Sequence, residues 1–169
     1  MEEISAALLE RAPEATKVPE LSDDEKEKFF KSVLTDTAYQ ADISLFDDRL
    51  TIILRTMSVE ENNDIVEQIA KDKQFGLAEN SDAYFITISS YRLALCLVKV
   101  DDKEFSDITK DKFKTDDAGV TYVRARALKV RDWPTFKLSA FLDAFNNFEA
   151  KVVKLTNAVQ RQNFWKASA

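Results

Sequence analysis

Residues 138 to 159, LSAFLDAFNNFEAKVVKLTNAV, place large apolar side chains at Leu138, Phe141, Phe145, Phe148, Val152, Leu155 and Val159. The steps between them alternate between three and four, the spacing that lines one face of an α-helix and, as a heptad pattern, marks a coiled-coil-like seam for another helix. Such a helix would be about 33 Å long, the width of a small domain, so the rest of the chain must either be built around it or leave its seam to a partner. Residues 81–97 or 120–131 of the same chain are candidate internal occupants. At the flanking positions Leu142, Ala144, Glu149, Lys151, Thr156 and Ala158, charge pairs that would specify a free coiled-coil partner are sparse. Both occupants therefore stay open, and Phe141, Phe145, Phe148, Val152 and Leu155 are the candidate protein-binding residues of the seam. Beyond them QRQNFWKASA isolates Phe164 and Trp165 in a polar stretch. Burying that pair contributes about 3–6 kcal/mol, either as an anchor on a partner or folded back on the same domain.

The chain has 169 residues, about the size of one domain, and its 45% hydrophobic content with twelve phenylalanines supplies a sizeable core. Pro13 and Pro19 interrupt the start, which predicts a flexible arm over 1–21, a single globular domain over 22–161 and a tail over 162–169 carrying the Phe164–Trp165 anchor. Ser22 with Glu25 forms a capping-box pattern that opens a helix reaching Thr35, with Phe29, Phe30, Val33 and Leu34 on its apolar side. In YQADISLFDDRLTIILRT, Ile43 and Leu45, then Leu50, Ile52 and Leu54, alternate around Asp47 and Asp48, which predicts a β-hairpin. A second box, Ser58 to Glu61, opens a helix ending at Gly76, and Asn80 and Ser81 cap a third over 81–97. LVKVDDKEFSDI reads as a small hairpin turning at Asp101 and Asp102, followed by a polar loop over 106–119. Residues 120–131 fit a helix or an alternating strand, and the spacing of Val123, Ala127 and Val130 favours helix. Pro134 then opens the long final helix. The expected fold is α+β and predominantly helical: an N-terminal β-hairpin and a second short hairpin packed with about five helices.

The absence of histidine excludes serine-histidine and cysteine-histidine catalysis and the common zinc sets, and two glycines, Gly76 and Gly119, cannot make a glycine-rich phosphate loop. Cys96, inside LALCLV, reads as a buried, inert thiol. The enzymatic alternative left is a carboxylate-metal phosphoesterase, with Glu60, Glu61, Asp64 and Glu67 as the candidate cluster. Glu149 and Lys151 imitate the acid-x-lysine element of some metal nucleases, but on a helix they point about 200° apart. No catalytic residue, cofactor or metal is expected. The most hydrophobic window, Ala83 to Val98, spans 16 residues and contains Arg92, too short and too charged for a membrane span. MEEISAALLERAPEA lacks the basic n-region of a secretory signal, which predicts an intracellular protein. Net charge is −6, divided between −12 over residues 1–119 and +6 over 120–169. The basic part is complementary to the acidic part of the same chain or of another copy, a route to a homo-oligomer. Six net positives on a chain of pI 4.9 argue against nucleic acid as a partner.

Three stretches, FFKSVLTDTAYQADISLFDDRLTIILRTMSVEENNDI, SYRLALCLVKVDDKEF and DWPTFKLSAFLDAFNNFEAKV, together resemble small tail proteins of long-tailed bacteriophages, of the tail-assembly or baseplate-hub chaperone type. The shared pattern is a hairpin ending in an apolar run with arginine and threonine (Ile52 to Thr56), an acidic helix, a tyrosine- and leucine-rich segment entering a short hairpin (Tyr91 to Val100), and a final helix with a central aromatic (Leu138 to Phe148). Where that pattern has a glycine in each hairpin turn, this chain has Asp47 with Asp48 and Asp101 with Asp102. The resemblance covers about residues 29–165. It implies a non-enzymatic factor that binds other tail or baseplate proteins in the host cytoplasm, or a minor structural component retained in the virion.

Overall fold

The computed structural model describes residues 20–113 and 120–161. Helix α1 (Asp23–Leu34) opens at Ser22, whose hydroxyl accepts from the Glu25 amide while the Glu25 carboxylate accepts from the Ser22 amide. The same reciprocal box, Ser58 with Glu61, opens α2 (Val59–Gln74), and single caps at Ser81 and Thr121 open α3 (Asp82–Cys96) and α4 (Tyr122–Arg131). Each satisfies backbone N–H groups that a helix start leaves without intrahelical partners. The long helix α5 (Thr135–Arg161) begins directly after Pro134, a residue tolerated there because its missing N–H has no partner to lose.

Strands β1 (Gln40–Leu45), β2 (Leu50–Arg55), β3 (Leu97–Val100) and β4 (Lys103–Glu104) form one antiparallel sheet in sequence order. Ile43 pairs with Ile52, and Ile52 in turn with Val100, which aligns apolar side chains on the face toward the helices. Asp42, Ile53, Lys99 and Glu104 form a row on the opposite face. The expected α+β, helix-rich fold with two hairpins, five described helices and a long C-terminal helix is the fold observed. Among the described residues no helix is long and apolar enough to cross a membrane.

Helix α3 sits between α2, α4 and α5 and buries Thr87, Ser90, Tyr91 and the run Leu93–Cys96, before passing into β3 without an intervening turn. Burial on several sides explains why its sequence is hydrophobic all round rather than on one stripe.

The seam of α5 is closed by the chain itself. Phe141, Phe145, Phe148 and Leu155 are each buried, and Leu138, Val152 and Val159 are half-buried against the same core. Phe148 stacks on Tyr39 at 6.1 Å, and Tyr39 meets the edge of Phe29 of α1 at 5.4 Å. Trp133 lies edge-on to both Phe141, at 4.7 Å, and Phe105, at 6.0 Å. The reading of Phe141, Phe145, Phe148 and Leu155 as surface offered to a partner is therefore corrected, because α1, α3 and the sheet already remove these side chains from water. Leu21, assigned by sequence to the arm, also packs half-buried on the core. Residues 1–19 of the arm and the tail with Phe164 and Trp165 lie outside the described residues.

Candidate functional site

The connection from β2 into α2 turns at Thr56 and Met57, and α3 and α5 pass beside it. The three elements enclose a groove of about 450 Å³. Phe145, Phe148 and Cys96 form its inner wall, and Met57, Val59, Val152 and Val153 its apolar border. Val59 is 79% exposed and Val153 60%, so two aliphatic side chains stand in water beside a concavity already apolar at its base. Of the predicted seam residues, Phe145, Phe148 and Val152 line this site, the two phenylalanines from its buried wall and Val152 from its border.

Ion pairs stiffen the groove. The Arg92 guanidinium donates to Glu149 across α3 and α5 at 2.5 Å and lies 5.9 Å from the Phe145 ring centre. Burial pushes the Glu149 carboxyl above its ordinary range despite Arg92. Nε of Arg92 is buried without a hydrogen-bond partner among the described residues. On the opposite side the Arg55 guanidinium forks onto both carboxylate oxygens of Glu61, the residue that also completes the Ser58 box. Burial alone would raise the Glu61 carboxyl, but Arg55 and the Ser58 amide more than offset this and hold it below its ordinary value.

Three of the four carboxylates weighed as a cation site, Glu60, Glu61 and Asp64, are engaged by the chain's own cations. Lys110 Nζ lies 2.7 Å from Glu60 and 3.0 Å from Asp64, whose carboxylate also accepts from the Tyr122 hydroxyl at 2.6 Å. Glu61 is taken by Arg55. Glu149 and Lys151 diverge as helix geometry requires, one to Arg92 and the other to Glu25. Among the described residues no group of three or more His, Cys, Asp or Glu is placed to hold a metal ion. Burial pushes the Cys96 thiol up to about 12, so it is protonated and a poor nucleophile at neutral pH.

Sequence reasoning passed over Met57, Val59 and Val153. Their signal is being out of phase: the buried stripe of α2 runs through Ile65, Gln68 and Ile69, and that of α5 through Phe148, Val152 and Leu155. Val59 and Val153 fall beside those stripes, where an apolar residue has no core to enter.

The fold and groove together define an α+β domain with an apolar, ion-pair-edged concavity. No protein family, curated protein or solved structure matches the chain.

Proposed function

We propose that the chain is a non-enzymatic protein-binding factor of bacteriophage tail or baseplate assembly, holding an apolar segment of a tail or hub subunit in the groove between the β2–α2 connection, α3 and α5. The observation that carries the reading is the exposed pair Val59 and Val153 beside the Phe145–Phe148 base of the groove. Each aliphatic side chain removed from water by a partner contributes about 1.5–3 kcal/mol, which rewards association rather than chemistry. The resemblance to small tail proteins supplies the class of partner. A buried protonated thiol and carboxylates already paired with Lys110 and Arg55 support a binding role over a metal-dependent phosphoesterase.

A tagged chain expressed during infection is expected to capture tail or hub subunits, and Val59→Asp with Val153→Asp is expected to lose them while keeping the wild-type unfolding midpoint. Equal capture by the double variant would overturn the groove as the contact. Mass spectrometry of purified particles separates an assembly factor from a permanent tail component: stoichiometric presence in the virion would replace the transient role with a structural one.

A further inference from the structure

The basic C-terminal part finds many of its partners within the fold. Lys151 reaches Glu25, Lys129 reaches Asp107, and the Arg126 guanidinium is used on backbone carbonyls. Arg124 and Arg131 are different: both are exposed, and neither side chain makes an ion pair or hydrogen bond with a described residue. Seven residues apart on α4, they share a face and lie about 10 Å apart along its axis. Facing them, the end of α2 presents Lys71, likewise without a described side-chain partner, and Phe75, which is 84% exposed. These residues border a cleft of about 850 Å³. Its one bordering carboxylate, Asp72, accepts from the Tyr91 hydroxyl at 2.5 Å and from Gln68 Nε2 at 2.9 Å and forms no ion pair with the cations opposite among the described residues.

We propose that the α2–α4 cleft binds an acidic segment of a partner protein, with carboxylates on Arg124, Arg131 and Lys71 and an apolar side chain laid on Phe75. The spacing selects the ligand. Arg124 and Arg131, about 10 Å apart along one helix face, can splay to meet carboxylates four residues apart on an extended peptide, about 13 Å at about 3.3 Å per residue, where the two acids and the residue midway between them share one side of the strand. An exposed phenyl ring at the same border wants an apolar neighbour, which a peptide carries between its acids. A nucleic acid would bring continuous negative charge against a chain of net −6 whose α2 also carries Glu60, Glu61, Asp64 and Glu67. A peptide concentrates its charge where the cations without a described partner are. This cleft is lined by different residues from the apolar groove, and the inference holds whether or not the chain serves tail assembly.

The test is fluorescence anisotropy of the full chain with a labelled peptide carrying glutamate at every fourth position and leucine midway between. A glutamine counterpart and a single-stranded oligothymidine of equal length are the controls. The glutamate peptide is expected to bind, more weakly as salt rises, and Arg124→Gln with Arg131→Gln is expected to weaken it about tenfold or more. Lys71→Gln, on a separate helix, repeats the test should the double variant alter α4. Val59→Asp with Val153→Asp is expected to leave peptide binding unchanged, which separates failure of this cleft from failure of the apolar groove. No binding of the glutamate peptide, equal binding of the glutamine peptide, tighter binding of the oligonucleotide, or undiminished binding after loss of the cations would each overturn the proposal.

Discussion

Arg126 shows how one side chain can complete an element to which it does not belong. It is 9% exposed, and Nε, Nη1 and Nη2 donate to the carbonyls of Ala94, Ile108 and Leu97 at 2.9, 2.8 and 3.1 Å. Ala94 and Leu97 stand at the C-terminal end of α3, where helix carbonyls have lost their intrahelical donors and the helix dipole favours a cation. The last turn of α3 has no basic residue of its own, so α4 supplies one. Arg126→Met keeps the apolar stem and removes the fork, and is expected to cost about 2–4 kcal/mol in urea unfolding through carbonyls left buried without donors. Arg126→Lys should recover only part of this, since an ammonium cannot span three acceptors. An unchanged midpoint in the methionine variant would dismiss the capping role. Glu61 makes a pH-dependent contribution instead. Its folded pKa lies below the ordinary 4.5, so its stabilisation is present above that value and is lost as pH falls through the lower folded pKa. Glu149 is raised by burial, so its contribution has the opposite sign: present below 4.5 and lost as pH rises through the raised value. Glu61→Gln is expected to flatten the acid side of the melting-temperature profile, and coincident profiles would contradict it.

Elements were legible where their signals are local. The Ser22–Glu25 and Ser58–Glu61 boxes mark α1 and α2 because the atoms that close each box lie within four consecutive residues. The β1–β2 hairpin could be read from alternation, yet its turn is built without glycine: Phe46, Asp47 and Asp48 have φ of 55, 54 and 61°, in the left-handed region. Aspartate tolerates that conformation through its short polar side chain, and glycine enters it without a Cβ penalty. Asp48→Gly is therefore expected to stabilise the fold by about 0.5–1 kcal/mol, read as a higher urea midpoint; a lower midpoint would mean that the aspartate side chain makes a compensating contact. The joining of both hairpins into one sheet was not legible. Ile52 meets Val100, and the register shifts between Ile53 and Leu54, because α2 and α3 carry the chain back to the edge of β2. No pattern within either hairpin encodes that return.

Across the whole molecule, the same limit decides what the α5 seam does. Spacing identifies which face of a helix is apolar, but the cover for that face is set by how distant elements converge, here Phe29 and Tyr39 on Phe148, and Phe105 and Trp133 on Phe141. The most conspicuous apolar residues in the sequence consequently became core, and the candidate contact surface fell to Val59 and Val153, which the periodicity leaves over. A surface of that kind is what remains after the core is subtracted, and the subtraction needs the fold. The two roles predict opposite behaviour for two substitutions on one helix. Phe141→Ala removes a fully buried ring and is expected to cost about 3–5 kcal/mol of stability. Val153→Asp replaces an exposed side chain and is expected to shift stability by no more than about 0.5 kcal/mol while abolishing partner capture. Urea unfolding and pull-down on the same two proteins give both readouts. A stable Phe141→Ala that loses its partner, beside an unstable Val153→Asp, would return the seam to the surface and remove the groove between α3 and α5 from the account of binding.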